Sequence, residues 1–343
     1  MISFIAEYGF FLLKVLTIAV AIVFPILMII SSAKSQPSDE KGSLVIKNLS
    51  EKLERMGNQL SGSQLNSKEY KKFSKSLDKK EKKKQKKDSD VEQSVYVLNF
   101  VGDVQATEVD KLKHEINAIL ISKTKCKEVV LKVESGGGAA YAYGLCAAEL
   151  QRLVDNKIEL TVCIDRVAAS GGYLMSCVAT KIIAAPWAIV GSIGVIAQMP
   201  NIHRLLKKND VDFEMHTAGE FKRTLTVLGE NTEEGRKKFK TELEDLHLIF
   251  KDFVKDNRPQ IDTGIVATGE VWQGKKAVEV GLIDEIGTSD DYLLKLTEKH
   301  KLFEIDYVEK KNITEKFGLG LQSTLDSLLN KVYDLINREK FNR

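Results

Sequence analysis

The chain has 343 residues, of which 43% are hydrophobic and 29% are charged. This composition excludes a chain too polar to bury a core, and the length allows one large domain or two smaller ones. The formal net charge is +3, but residues 68–87 alone contain 11 lysines and three acidic residues. Because this run has no arginine and few aromatic residues, we do not expect nucleic-acid binding; an anionic lipid surface suits it better.

The first predicted element is an apolar segment over residues 9–30, interrupted only by Lys14 and Thr17. As a helix it would be about 33 Å long, enough to cross the hydrocarbon core of a bilayer. A cleaved signal peptide is the alternative, because small residues follow at 31–33. We predict a retained single-pass anchor over residues 1–33, since no basic segment precedes the run and the run is long for a signal peptide. The positive-inside rule leaves the side of the membrane open, because the lysine run lies far beyond the segment.

Residues 34–94 are polar and rich in serine and lysine. They have few regularly spaced apolar residues, a composition typical of chains that do not bury a core. We therefore predict a lysine-rich, largely disordered tether, with one short helix near residues 44–60.

A folded domain is predicted over residues 95–305, where strand patterns alternate with helix patterns. The predicted strands cover residues 95–100, 129–133, 160–164, 181–184 and 192–197. Helices are predicted after Thr107, after the glycines at 136–138, after Ser170, and over residues 233–254. Such alternation indicates an α/β fold with its functional residues in loops after strand ends. A helical tail is predicted over residues 306–343.

A candidate nucleophile lies in residues 167–174, Val-Ala-Ala-Ser-Gly-Gly-Tyr-Leu. Ser170 stands where a predicted strand turns into a helix, and two glycines follow it. Backbone N–H groups at such a turn favour developing negative charge, which suits a nucleophilic hydroxyl. An ordinary helix cap is the plainer interpretation of the same residue.

A serine hydroxyl needs an adjacent base. Nothing in the sequence singles out any of the five histidines, which are His114, His203, His216, His247 and His300. The G-x-S-x-G pattern is absent because Ala168 takes the first glycine position, and no clustered spacing predicts a metal site. A neutral lysine is the other candidate base, because burial lowers a lysine pKa. Lys222 lies in an apolar-flanked segment far from the lysine run, although its local context alone is weak evidence.

The four cysteines lie in or beside apolar stretches, and none forms a C-x-x-C pair. We expect buried thiols at all four positions. They are Cys126, Cys146, Cys163 and Cys177.

Four motifs in order resemble one known family. They are residues 167–173, Gly-Ser-Ile-Gly-Val at 191–195, Ala-Gly-Glu-Phe-Lys at 218–222, and Gly-Leu-Ile-Asp at 281–284. The chain is similar to the signal peptide peptidase A family of serine peptidases, above all to its SohB branch of bacterial membrane-anchored enzymes. The resemblance is dense over residues 95–289.

The resemblance implies a role for each matching residue. Ser170 corresponds to the nucleophile, Lys222 to the general base, and Ser192 to the residue that orients the lysine. Gly137 and Gly171 correspond to the backbone donors of the oxyanion hole. The family's glycine loop usually reads N-S-P-G-G, and Gly136 replaces its proline here, so that Gly138 is an alternative to Gly137.

The same resemblance implies a ClpP/crotonase-like spiral of β-β-α units that needs no cofactor and no metal. It also implies hydrolysis of short apolar or signal-peptide-like peptides at the bacterial inner membrane, with the soluble domain in the periplasm. The partners would be peptide substrates, the bilayer at residues 9–30, and further copies of the chain. Because family members form rings, the active site could be shared between subunits.

Two other functions suit the same fold. A crotonase-type acyl-CoA enzyme also uses a glycine-loop oxyanion hole, but it needs neither Ser170 nor Lys222. A non-catalytic membrane scaffold is the second alternative, and an intact set of Ser170, Lys222 and Ser192 argues against it.

Overall fold

Ten strands of the described residues form one sheet in the computed structural model. The structure describes residues 42–87 and 93–309, together with 11, 13–15, 17 and 18. The strands are β1 (Gly42–Asn48), β2 (Ser94–Gly102), β3 (Cys126–Ser135), β4 (Glu159–Ile164), β5 (Val167–Ala169), β6 (Lys181–Ala184), β7 (Ile189–Gly191), β8 (Val271–Gln273), β9 (Glu285–Ile286) and β10 (Lys301–Glu309). By contacts, residues 44–307 form one compact unit; residues 1–43 and 308–343 form a second, of which few residues are described.

Helices connect most of these strands. They are α1 (Leu49–Ser63), α2 (Ser67–Lys87), α3 (Val109–Ile121), α4 (Ala140–Asp155), α5 (Gly171–Ser176), α6 (His203–Lys208), α7 (Glu233–Asn257), α8 (Thr263–Val266), α9 (Gly274–Glu279) and α10 (Ser289–Thr297). Several begin at side-chain caps; for example, Thr232 accepts a hydrogen bond from the Gly235 N–H at the start of α7. This alternation of strands and helices confirms the predicted α/β class.

The sheet has a main path and a branch. Along the main path the strand order is β1, β10, β2, β3, β4, β6 and β9. The short strands β5, β7 and β8 form the branch, in which β5 pairs with the end of β3. The pairs β2–β3, β3–β4, β3–β5 and β5–β7 are all parallel, so their carboxyl ends lie at the same edge. Candidate functional residues after these strands are therefore brought together.

Both faces of the main sheet are buried, which explains why its strands are almost continuously apolar. On one face, α3, α4 and neighbouring segments cover a large core that includes Leu98, Leu131 and Leu160. On the other face, a smaller cluster includes Val97, Val130 and Leu293 of α10. Each such side chain stabilises the fold by roughly 1.5–3 kcal/mol when fully buried.

The expectation of a largely disordered segment over residues 34–94 was wrong for residues 42–87. This part forms β1, α1 and α2, and the helix expected near 44–60 begins only at Leu49 because residues 44–48 belong to β1. Asn48 caps α1 by accepting a hydrogen bond from the Glu51 N–H at 3.1 Å, and Gly62 lets the Tyr70 ring of α2 approach closely. Lysine and glutamate are good helix formers, so a polar, charged composition did not mean disorder here.

The predicted anchor over residues 9–30 and the helical tail lie almost wholly outside the described residues. Within the described part of the chain, no helix has both the length and the apolar character needed to cross a membrane. Strand β10 extends to Glu309, so the sheet continues past the predicted domain boundary at residue 305.

Candidate active site

Ser170 lies between β5 and α5 in an unusual backbone conformation. Its φ is 50° and its ψ is −119°, a region that residues with a Cβ rarely adopt. The Ser170 N–H donates to the Gly191 carbonyl at 2.7 Å, and the Ser170 carbonyl accepts from the N–H groups of Tyr173 and Leu174, both at 2.9 Å. These contacts hold the strained turn, which presents a half-buried hydroxyl in the manner of a nucleophile elbow.

The glycine loop after β3 lies directly beside this serine. Ser135, the last residue of β3, pairs with Ala168 of β5. A Cβ added to Gly137 would lie 2.8 Å from the Ser170 Cβ and 2.6 Å from the Gly171 nitrogen. Gly137 also has a φ of 86°, so both the conformation and the close approach require glycine here.

The N–H groups of the loop differ in their partners. The Gly137 N–H donates to the Ser135 Oγ at 3.0 Å. The Gly138 N–H has no hydrogen-bond partner within the described part of the chain. Of the two loop donors considered from the sequence, Gly138 is therefore the one left unpaired.

Ser192 is brought beside Ser170 by strand register. Ala169 of β5 pairs with Gly191 of β7, and each serine is the next residue in its chain. Ser192 also has a positive φ, 52°, and its N–H donates to the Glu270 carbonyl at 2.7 Å. Neighbouring strands are about 4.8 Å apart, so the two serines lie close together at the carboxyl edge of the branch.

Lys222 is not part of this group in the single chain. It is exposed, in a turn where its N–H donates to the Gly219 carbonyl at 3.2 Å. Among residues 42–87 and 93–309, no hydrogen bond or ion pair joins the Lys222 amine to another group. The Nε2 of His247 lies 3.3 Å from the carbonyl oxygen of Ile193, and no hydrogen bond joins this imidazole to Ser170 within the described residues.

Comparison with known proteins identifies the family. The model described as peptidase family S49 matches residues 152–303, and the model described as peptidase family S49 N-terminal matches residues 3–150. A probable protease SohB of Haemophilus influenzae is 44% identical over 335 residues, which cover 94% of this chain and 95% of that protein. The chain belongs to peptidase family S49. A probable protease SohB of Buchnera aphidicola is 49% identical over 70% of this chain and 72% of its own length. A putative signal peptide peptidase SppA of Enterococcus faecium is 34% identical over 56% of each chain.

In this chain of peptidase family S49, the thiols are poor candidates for the nucleophile. Cys146, Cys163 and Cys177 are buried as expected, whereas Cys126 is only half-buried. Burial raises the pKa of each of the three buried thiols to about 12. A thiol reacts as its thiolate, so these groups are inert near neutral pH. Within the described ranges, no group of His, Cys, Asp and Glu side chains could hold a metal ion.

Two further residues of the site were missed from the sequence. Ser135 and Tyr143 are both buried, and their hydroxyl oxygens lie 2.5 Å apart immediately behind the glycine loop. Burial raises the pKa of Tyr143 above its usual value, so the phenol stays protonated. In the sequence, the position of Ser135 next to three glycines was the only sign of a role in the site. Nothing in the sequence indicated a role for Tyr143.

Proposed function

We propose that this member of peptidase family S49 is a serine endopeptidase in which Ser170 is the nucleophile and Lys222 is the general base. The observation that carries the proposal is the strained Ser170 turn, which lies against Gly137 and the Gly171 N–H. Strained, glycine-lined turns of this kind cluster at catalytic sites. Ser192, which follows the strand paired with that of Ser170, would orient the lysine amine.

The reaction would proceed through an acyl-enzyme. The Ser170 Oγ attacks the peptide carbonyl while the Lys222 amine accepts its proton. The Gly171 N–H and one N–H of the glycine loop stabilise the oxyanion. Gly137 would have to release Ser135 to do this, whereas Gly138 is already unpaired. Lys222 then protonates the leaving amine, and water hydrolyses the ester.

The Lys222 amine could come from a neighbouring copy of the chain. A lysine acts as a base only when its amine is neutral, which desolvation favours near neutral pH, and Lys222 is exposed here. The residues around Lys222 also include large exposed apolar side chains. Among them the exposed fraction is 39% for Phe213, 44% for Met215 and 46% for Phe221. Exposed apolar groups of this extent are typical of interaction surfaces. They support a homo-oligomer in which packing against a second subunit buries this segment and completes the site.

The substrate class and location rest on family resemblance. We expect short apolar or signal-peptide-like peptides, and one similar protein is called a putative signal peptide peptidase SppA. The bilayer would be engaged through residues 9–30, at the bacterial inner membrane and with the soluble domain in the periplasm. The β4, β5 and α5 elements follow one another as a β-β-α unit, which supports the proposed ClpP/crotonase-like spiral.

Substitution of the dyad tests the proposal. Ser170→Ala and Lys222→Ala should each lower hydrolysis of a fluorogenic apolar peptide by at least about a thousandfold. Lys208→Ala, which removes the exposed lysine at the end of α6, is the matched control. Full activity in either dyad variant would refute the mechanism. Loss of activity in His247→Ala together with full activity in Lys222→Ala would assign the base to the histidine.

Mixing the two inactive variants tests the shared site. If Lys222 acts from a neighbouring subunit, co-assembly of Ser170→Ala with Lys222→Ala restores part of the activity. No recovery in demonstrably mixed oligomers would place the dyad in one chain. Acyl-CoA hydrolysis that survives Ser170→Ala would favour the crotonase-type alternative, and a wild-type protein with no activity would favour the scaffold.

A further inference from the structure

One buried tyrosine contacts both sides of the candidate oxyanion site. Tyr143 of α4 is 0% exposed. Its ring occupies the space beside Gly171, where a Cβ would lie 2.4 Å from the Tyr143 Cγ. Its hydroxyl reaches the other side, 2.5 Å from the Ser135 Oγ behind the glycine loop. The Phe100 ring packs edge-on against it at 6.3 Å between centroids and restricts its movement.

The donors along this hydrogen-bond chain can be assigned. The Asp103 main-chain carbonyl only accepts, so the Tyr143 hydroxyl donates to it at 2.7 Å. Tyr143 then has no second proton, so the Ser135 hydroxyl donates to the Tyr143 oxygen at 2.5 Å rather than to the Gly102 carbonyl, which is farther away at 3.4 Å. Ser135 accepts in turn from the Gly137 N–H at 3.0 Å. The chain therefore runs in one direction, from Gly137 through Ser135 and Tyr143 to Asp103, and every member is satisfied.

The glycine loop needs such support. Its three consecutive glycines, residues 136–138, contribute no side chains to packing, and glycine has the greatest backbone freedom of any residue. Only two hydrogen bonds from loop N–H groups hold residues 136–139 within the described part of the chain: Gly137 to Ser135, and Ala139 to the Val104 carbonyl at 2.8 Å. Removing the first takes away the hydrogen bond that orients the Gly137 peptide plane beside Ser170.

We propose that Ser135 and Tyr143 are positioning residues: they hold the Gly137 N–H and so fix the glycine loop beside Ser170 with the unpaired Gly138 N–H available to the oxyanion. The role in catalysis rests on the proposed peptidase function, whereas the hydrogen-bond chain itself does not. Misplacing oxyanion donors by a fraction of an ångström lowers the rate of the chemical step more than the affinity for substrate. The expected defect is therefore in kcat.

Tyr143→Phe removes only the hydroxyl and is the main test, measured on the full chain. We expect kcat to fall by about tenfold to a hundredfold while KM changes by less than about twofold. Ser135→Ala should have a similar effect, and the double variant should be no worse than the more severe single variant because both act through one chain. Additive losses would overturn the single-chain account.

Tyr96→Phe is the matched control. Tyr96 is also buried, and its hydroxyl lies 2.5 Å from the Thr124 Oγ1 near the start of β2 and β3, at the opposite edge of the sheet. Both Phe variants should lower Tm by a similar few degrees. Only Tyr143→Phe should lower kcat, and an equal loss of kcat in Tyr96→Phe would show that stability alone is responsible.

Amide hydrogen exchange tests the positioning without any assay of activity. Exchange of residues 135–139 should accelerate in Tyr143→Phe and remain unchanged in Tyr96→Phe. If wild-type activity does not depend on Ser170, the peptidase proposal fails, and exchange alone then decides whether Tyr143 holds the loop. Unchanged exchange in Tyr143→Phe overturns the positioning role, and faster exchange with unchanged kcat overturns its link to catalysis.

Discussion

The strained backbone of Ser170 lowers the stability of the fold, but it presents the side-chain hydroxyl. A residue held in this region of φ and ψ costs about 1–3 kcal/mol of folding free energy. The hydrogen bonds to Gly191, Tyr173 and Leu174 overcome that cost because they fix the turn from both sides. An ordinary helix cap would need none of this strain, so the geometry favours the catalytic interpretation over the plain one.

Of two substitutions that remove the Ser170 hydroxyl, glycine should therefore give a more stable fold than alanine. Glycine adopts positive φ without steric cost, although it also increases the entropy of the unfolded chain. We expect Ser170→Gly to have a free energy of unfolding about 1 kcal/mol above that of Ser170→Ala, measured by denaturant titration. In the ordinary helix α2 the order should reverse, with Ser76→Gly about 1 kcal/mol less stable than Ser76→Ala. Equal stability of Ser170→Gly and Ser170→Ala would show that the turn is unstrained.

The cysteines should react slowly with thiol reagents, and their modification should not affect activity. Burial raises the pKa of Cys126 to about 11 and that of Cys146, Cys163 and Cys177 to about 12. Native protein at pH 8 should therefore react slowly with a thiol reagent, and full reaction should require denaturant. Peptidase activity should survive the treatment. Rapid loss of activity at one cysteine equivalent would contradict a serine nucleophile.

At the scale of elements, one ion pair fastens the end of α7 to the sheet. Arg258, 4% exposed, caps α7 and donates to both carboxylate oxygens of Asp284, at 2.6 and 3.0 Å. Asp284 also accepts the Ile182 N–H of β6 at 2.7 Å. The motif at residues 281–284 thus has a structural explanation, since its aspartate joins the end of α7 to strand β6.

Asp284→Asn should be strongly destabilising. It leaves the Arg258 guanidinium without its counter-charge in a buried position, and breaking such a pair typically costs several kcal/mol. Because Asp284 is itself partly exposed, we expect about 2–4 kcal/mol, measured as a shift of the denaturant midpoint. Glu244→Gln removes an exposed pair with Lys240 in α7 and should change stability by less than about 0.5 kcal/mol. Equal effects of the two substitutions would contradict this view.

The sequence was informative about elements whose pattern is local. Four of the five predicted strands, at 95–100, 129–133, 160–164 and 181–184, were correct because their runs are apolar. The strand predicted over residues 192–197 was wrong, since β7 ends at Gly191 and Ser192 has a positive φ. Of the two helices in residues 49–87, α1 was predicted in part but α2 was not, since a lysine-rich composition suits both a helix and a disordered chain. Tyr143 could not be found either, because its contact with Ser135 exists only once α4 packs against β3.

At the scale of the molecule, a buried carboxyl connects the helix layer to the sheet. Glu115 of α3 is 0% exposed, and its Oε1 accepts the Tyr307 N–H of β10 at 2.9 Å. Its Oε2 has no partner among the described residues. Burial raises the pKa of Glu115 to about 7, against the opposing effects of the Tyr307 N–H and of Lys111. The Tyr307 N–H of β10 is thus bound by a carboxyl whose pKa lies near neutrality.

This group should make the fold less stable as the pH rises through neutrality. Its pKa is about 4.5 in the unfolded chain and about 7 in the folded chain, so the folded chain binds more protons between these values. The free energy of unfolding should therefore fall from pH 4.5 to pH 7 and stay lower above it, by about 1–3 kcal/mol in total. Glu115→Gln keeps the acceptor for the Tyr307 N–H and should remove this contribution, whereas the exposed control Glu298→Gln should retain it. The prediction is contradicted if the free energies of unfolding of wild type and Glu115→Gln change in parallel from pH 5 to pH 8. In that case the Glu115 carboxyl ionises as readily in the folded chain as in the unfolded one.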